Sequence, residues 1–453
     1  MAEKEYESSN ELATLIHRES GGSEIENLLE SYEASDLVHA LYALRPEEQR
    51  TLLARVSPER AAELIEEFPD GHAADLLEEM PVDEAATIVE ELASNHRVDI
   101  LAELNSDDMD AIVARLDEEN ALEVRELIAY SPEQAGGLMM KEFASYPMAM
   151  TVREVVEDVT ADERDYTFLT VHYIYVVVKK RKLKGVIRLR DLVFADPDAK
   201  IGEIATPALT VAPDASLDDL EFFFDEHDIA AVPVVDSRGF LLGIVRRRAV
   251  LEALAERSES DYLKTAGIIG GDELRSMPVL QRSRRRLAWL SINIVLNIIA
   301  ASVIAMYEDT LTAVIALAVF LPIVSDMSGC SGNQAVAVSM RELTLGAALP
   351  SDVFRVWRKE AIVGLINGVA LGSLLGIVAW AWKGNPVLGL VVGTALAINT
   401  LVAVSIGGTV PLLLKRLKLD PAVASGPLLT TATDMCGFFL LLSMASIVLP
   451  SLI

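Results

Sequence analysis

Cysteine and histidine are scarce in this chain, two and six residues of 453. Cys330 and Cys436 both stand in apolar surroundings, which excludes a disulfide framework or a CxxC zinc site and leaves packed thiols as the ordinary reading. As soft ligands they would suit copper, yet no Met or His cluster accompanies them. No Walker-type loop, nucleophile–base pair or metal-hydrolase spacing occurs, which argues against an enzyme and against transport driven by ATP. The start, MAEKEYESSNEL, lacks an apolar run, so no signal peptide is expected and the N-terminal part is expected to stay in the cytoplasm. Basic residues are in deficit, 39 Lys and Arg against 68 Asp and Glu. Such a field repels nucleic acid and anionic lipid and attracts hydrated cations, with a divalent ion as the natural counter-ion. The plainer alternative is acidity that only keeps a soluble region in solution.

The acidity is unevenly placed. Before Gln281 lie 60 of the 68 acidic and 27 of the 39 basic residues, a net charge of −33, while the rest is apolar. The length allows three or four domains. After residues 1–23, expected to be disordered, an apolar position closes a block every 12 residues: Tyr32, Leu44, Val56, Phe68, Met80, Leu92, Leu104, Leu116 and Ile128. Each block carries apolar residues at i, i+1 and i+4, then a break such as SPER, PDGH, PVDE or NSDD that stops one helix and caps the next. Residues 24–136 are therefore read as an all-α superhelical solenoid whose repeats cover each other's apolar stripes. Scaffolding and divalent-ion sensing are both open as its role.

Two similar modules follow, at 137–200 and 201–255. In the first, IYVVV (Ile174 to Val178) leads to LKGVIRLRDL; in the second, AAVPVVD (Ala230 to Asp236) leads to LLGIVRRRAV. This tandem β-β-α repeat resembles a pair of cystathionine-β-synthase (CBS) domains, α/β modules that commonly bind adenosine nucleotides or ions. In that pattern a Ser/Thr and then an Asp, suited to ribose hydroxyls, follow the glycine and β-branched pair. Arg190-Asp191 occupies the place in the first module and Arg248-Ala249 in the second, so ATP or another adenine nucleotide lacks its ribose carboxylate there. A charged helix is expected at 249–280, the one covalent link between the halves.

From 281 to 453, five apolar stretches near 287–307, 311–334, 361–382, 387–414 and 421–449 are each long enough to cross about 30 Å of hydrocarbon. Arg282, Arg284, Arg285 and Arg286 precede the first, Arg341, Arg355, Arg358 and Lys359 lie between the second and third, and Lys415, Arg416 and Lys418 lie between the fourth and fifth. The excess of positive charge on cytoplasmic loops then predicts an inner-membrane protein with a cytoplasmic N-terminus and an external C-terminus. An odd span number without an inverted repeat favours a homodimer around a central path over repeat-built carriers.

A charged side chain at mid-bilayer costs roughly 2.5–3.5 kcal/mol and usually faces a cavity or partner. Asp434 is the acidic residue deep in the last stretch; Ser425-Gly426-Pro427 before it is expected to weaken the helix and expose carbonyls. Asp326 sits in PIVSDMSGCSGNQ, where Gly329, Gly332 and Asn333 permit close packing or an unwound backbone; its role is open. Mg2+ prefers oxygen ligands and sheds water reluctantly, so a narrow path would hold it hydrated. One Asp434 from each of two subunits would offset its two charges, with Thr430, Thr433 and carbonyls receiving its water shell. The alternative for Asp434 is a structural hydrogen bond; for Asn293, Asn297, Asn367 and Asn399, helix–helix hydrogen bonding is the better reading.

SPEQAGGLMM (Ser131 to Met140), GCSGNQAVAVSMREL (Gly329 to Leu343) and DPAVASGPLLTTATDMCG (Asp420 to Gly437) together resemble the MgtE magnesium channels, over essentially the full length and in domain order. The resemblance implies a homodimer in the membrane lipid and a pore formed by the second and fifth spans. Hydrated Mg2+ would be held by Asp434, with Thr430, Gly426 and Asn333 beside it. It further implies a plug helix at Ala249–Gly271 and closure by Mg2+ bound to cytoplasmic carboxylates, for which Asp228, Glu259, Asp261 and Asp420 are the candidates. Competing readings are a carrier of broader divalent range that includes Co2+, and a membrane-anchored nucleotide sensor.

Overall fold

The computed structural model describes residues 11–18, 21–160, 172–178, 181–268, 273 and 279–452. Two compact units result, one reaching from the N-terminus to Arg257 and the other beginning at Ser258.

Short helices build the first unit's beginning: α1 (11–17), then α2 (Gly22–Glu30), α3 (Ala34–Ala43), α4 (Pro46–Leu53), α5 (Pro58–Ile65), α6 (Asp70–Glu78), α7 (Val82–Glu91), α8 (Ser94–Glu103), α9 (Ser106–Val113) and α10 (Glu118–Leu127). The 12-residue spacing is realised in three dimensions over the middle blocks, where the seven closing residues from Leu44 to Leu116 are buried, but not at the two ends, where Tyr32 is half-buried and Ile128 exposed. The breaks cap as their composition requires. Ser57 of SPER accepts from Arg60 N at the start of α5, and Asn105 of NSDD accepts from Asp108 N at the start of α9. One expectation is overturned here. Disorder up to residue 23 does not hold over 11–17, which are helical, with Leu12 and Ile16 buried in the common core; residues 1–10 and 19–20 lie outside the described set.

The α/β part repeats itself in detail. After α11 (Ala135–Leu138), β1 (Ser145–Pro147) and α12 (Val152–Val159), β2 (Tyr173–Val178) pairs antiparallel with β3 (Lys182–Arg188) and is followed by α13 (Leu189–Val193) and α14 (Ile201–Ile204). After α15 (Leu217–Glu226), β4 (Ala231–Val235) pairs antiparallel with β5 (Leu241–Arg246), and α16 (Arg247–Thr265) follows. Both hairpins break register at the same place, beyond the glycine that faces a valine: Gly185 opposite Val176 and Gly243 opposite Val234. Each glycine is required by a backbone that passes close by. An added Cβ would stand 2.5 Å from Thr206 O at Gly185 and 2.8 Å from Met140 O at Gly243. The connecting helix begins at Arg247 rather than 249 and stops at Thr265; residues 269–272 and 274–278 of the expected 249–280 segment are outside the described set.

The second unit is helical: α17 (Val279–Ala305), the short α18 (Glu308–Ala313), α19 (Leu317–Thr344), α20 (Val353–Lys383), α21 (Pro386–Arg416) and α22 (Pro421–Ile447). Four of these, α17, α20, α21 and the part of α22 from Gly426, are long and apolar enough to cross a membrane. The fifth expected span, α19, has the length at 28 residues but not the apolar composition, since it carries Asp326, Asn333, Gln334, Arg341 and Glu342. α21 packs against α19, α20 and α22, while α17 and α18 pack on α22. A tight hairpin joins α20 to α21. Gly384 takes φ +72°, and Asn385 Oδ1 then accepts from Val387 N and Leu388 N to start the next helix. Along the two, Gly364, Gly368, Gly372 and Gly376 meet Leu401, Ala397, Gly393 and Gly389 with backbone against backbone.

Candidate functional site

Deep in the second unit, Ser325 of α19 donates its hydroxyl to Asp434 Oδ1 on α22. Asp326 lies within electrostatic reach of the same carboxylate. Sequence spacing could not say that these two stretches meet, and the structure brings them together. Asp434 is half-buried, whereas Asp326 and Asn333 are exposed. Thr430 donates to Gly426 O at 3.0 Å and Thr433 to Thr430 O at 2.9 Å, so both hydroxyl hydrogens are turned onto their own helix; the exposed Thr430 keeps its lone pairs for a ligand, whereas Thr433, expected to receive the water shell, is fully buried.

The expected break at Gly426-Pro427 is absent, because α22 runs unbroken from Pro421 to Ile447 with Pro427 inside it. Nor is α19 unwound at Gly329 or Gly332. Of the two outcomes left open for those glycines, close packing is what occurs. A Cβ at Gly332 would lie 2.9 Å from Leu429 of α22 and 3.0 Å from Ala403 O of α21, and one at Gly329 would lie 3.8 Å from Thr433 Oγ1. The oxygens available to an ion are therefore side-chain oxygens on intact helices. Among the described residues no three His, Cys, Asp or Glu side chains converge closely enough to ligate a bare metal ion; a carboxylate acting through a water shell needs no such cluster.

α19 shows a second feature. Asp326, Cys330, Asn333, Gln334, Ala337 and Arg341 are exposed and recur at helical spacing, a polar stripe on a helix amid apolar ones. Cys330 is thus not a packed thiol, while Cys436 is half-buried. The asparagines divide: Asn399 joins helices, but Asn293 and Asn297 donate to Trp289 O and Asn293 O of their own helix.

The four cytoplasmic candidates are divided between the two units. Asp228, exposed in the first unit, pairs with Arg247 at 3.5 Å. Asp420, in the second, caps α22 through Ala422 N at 2.8 Å and faces Lys264 at 3.6 Å. Glu259 is exposed on α16 and Asp261 half-buried. A cluster the sequence reading missed is formed instead by Asp70 of α6, Asp99 and Glu103 of α8, and Glu256 of α16. Burial, with the neighbouring carboxylates adding to it, raises Asp70 to about 7 and Asp99 to about 8. No local signal marks these residues, since Asp70 reads as part of a helix break and the others as solvated faces.

The α/β part encloses a cavity of about 410 Å³ bordered by Tyr173, Tyr175, Arg246, Arg247 and Arg248. Tyr175 is buried and its hydroxyl has no partner. Glu142, on the same wall, is already engaged by Ser94 N and Oγ.

Comparison with known proteins follows these divisions. Family models match residues 32–133 (MgtE intracellular N domain), 201–256 (CBS domain) and 321–444 (divalent cation transporter). The magnesium transporter MgtE of Thermus thermophilus is 36% identical over 340 residues, 74% of either chain, and that of Enterococcus faecalis 34% identical over 329 residues, 72% of either. The crystal structure of the soluble part of a magnesium transporter covers 56% of this chain and 99% of its own at 27% identity, with a TM-score of 0.51.

Proposed function

The chain belongs to the MgtE family of magnesium transporters and moves Mg2+ across a membrane, and we propose that it does so past Asp434, in a path lined by α19 and α22 of two subunits. The observation that carries this is the Ser325–Asp434 contact inside an apolar helical unit, with Asp326 beside it. Asp434, Thr430 and Asn333 would receive the water shell of the ion; the Gly426 carbonyl is occupied by Thr430. Transport rather than catalysis is the role, and the arginines in the first turns of α17 support an inner-membrane orientation with the N-terminus in the cytoplasm. Purified protein in liposomes holding an Mg2+-sensitive dye tests the reading. An imposed Mg2+ gradient is expected to give saturable uptake, and uptake no faster than in protein-free liposomes would overturn it.

The two-subunit arrangement is supported by the polar stripe of α19, which would be costly against hydrocarbon and inexpensive against a water-filled path or a second copy. Cys330 lies on that stripe. Mild oxidation of membranes is expected to link two chains into a disulfide dimer, and Cys330→Ser to abolish the dimer band. A band that persists in the serine variant, or none in the native chain, counts against the face as an interface.

Closure by cytoplasmic Mg2+ is supported by the net charge of −33 before Gln281 and by the carboxylates between α6, α8 and α16. In this reading a divalent ion offsets their repulsion and holds α16 on the solenoid. The arginine-walled cavity favours a second ligand as well, a phosphate-bearing nucleotide whose base would lie on the tyrosines. The three arginines fit the phosphates, and Glu142 is not free for a ribose. Loss of ATP binding in calorimetry on Arg246→Ala would support this assignment, and unchanged binding would refute it.

A further inference from the structure

A buried amide lies behind Asp434. Asn399, in the middle of α21, is fully buried. Its Nδ2 donates to Thr433 O on α22 at 3.1 Å and to Val324 O on α19 at 3.4 Å. Those carbonyls belong to the residues immediately before Asp434 and Ser325, the pair that meets across the same two helices. The amide's orientation is set by its donors alone, because Asn399 Oδ1 is buried without a partner among the described residues. Gly437, one turn beyond Thr433, leaves room for the side chain: an added Cβ there would stand 2.7 Å from Asn399 Nδ2.

We propose that Asn399 is a positioning residue for the ion path, a clamp that fixes the register of α19 against α22 and so holds the Asp434 carboxylate at its working height. The inference rests on the reading of Asp434 as the ion site. A side chain that ties two backbones together from a third helix leaves neither strand of the path free to slide. Both carbonyls lie inside helices, and Val324 O also accepts from Ser328 Oγ at 2.8 Å. Removing the amide therefore strands no acceptor, and an apolar replacement of similar size is expected to fold.

The test uses full-length protein in liposomes and separates half-saturating Mg2+ from maximal uptake, with the thermal midpoint in detergent measured alongside. Asn399→Leu is expected to raise half-saturating Mg2+ about tenfold, the loss of two neutral hydrogen bonds. Gly437→Ala, which crowds the amide without touching Asp434, is expected to shift it in the same direction. The double variant with Ser325→Ala should fall short of the product of the single effects, as for coupled neighbours. A lower thermal midpoint with half-saturation unmoved in both Asn399→Leu and Gly437→Ala makes the residue structural only and overturns the inference. If Asp434→Asn itself leaves half-saturation unchanged, the ion-site reading fails first, and the two failures are thereby distinguished.

Discussion

Asp434→Ala is expected to lower Mg2+ uptake by two to three orders of magnitude at low Mg2+. A carboxylate that holds a hydrated divalent ion through one water layer sits about 4–5 Å from it. In a water-filled path of effective dielectric constant about 80, Coulomb's law gives roughly 2 kcal/mol for each of the two carboxylates, about 4 kcal/mol for the pair, and each 1.4 kcal/mol is about tenfold in occupancy. Asp434→Asn keeps the shape and the hydrogen-bonding partner Ser325 but not the charge, so it should lose nearly as much. Ser325→Ala keeps the charge and loses one hydrogen bond to it, a change of about tenfold. Uptake into dye-loaded liposomes reads all three. Full uptake by Asp434→Asn would show that the carboxylate is a structural hydrogen-bonding group, the alternative its sequence context left open.

Protection of the first half of α16 from hydrogen exchange is expected to depend on pH in Mg2+-free protein. Burial raises Asp70 and Asp99 from 3.8 to about 7 and about 8, and Glu256 of α16 adds to the rise, so the share that α16 supplies makes both hold their protons more tightly when it is docked than when it is released. The sign follows directly: their contribution to docking is complete below about pH 4 and is lost as pH rises through 7 and then 8. While both protons are held, the docked state loses up to roughly 2.7 kcal/mol per pH unit, a ceiling that solvent screening lowers. The amides of 250–257, corrected for intrinsic exchange, should therefore lose on the order of tenfold protection between pH 6 and pH 8.5. Millimolar Mg2+ should restore it, replacing protons by a divalent charge. The Asp70→Asn, Asp99→Asn double variant should be protected at both pH values without Mg2+. The same pH response in the double variant would remove these aspartates from the docking equilibrium.

The fold was legible in the sequence wherever a period was written into it. The recurrence every 12 residues told which side chain closes each solenoid turn from Leu44 to Leu116, though not at Tyr32 and Ile128, where no further 12-residue block covers the end, and Ser57 and Asn105 cap where their breaks stand. The two β-hairpins were legible for the same reason, as a repeated run of valines around a glycine. Position along the chain also drew attention to Asp434, because an acid in an apolar run is conspicuous. What could not be read was contact across the chain. Nothing local to Ser325, Asn399 or Asp70 announces its partner, and each gains its meaning only when helices distant in sequence are packed. The intact helices at Gly426-Pro427 and Gly332 show the converse. Glycine and proline there signalled a break, but neighbouring helices support the backbone, and glycine serves to let α19 approach α21 and α22.

The glycine seam between α20 and α21 bears on what mutation can reach. An added Cβ at Gly368 would lie 2.5 Å from Ala397 O, one at Gly376 2.9 Å from Gly389 O, and one at Gly393 2.6 Å from Gly372 O. On the opposite side of α20, Ile362, Ile366 and Leu374 are exposed, and any apolar residue would serve as well. A saturation library scored for growth on Mg2+ would thus show a comb along α20, with every fourth position from Gly364 to Gly376 admitting no replacement and its far side nearly silent. Inherited variation would be filtered in the same rhythm, so that this helix pair keeps its spacing while its outer coat drifts.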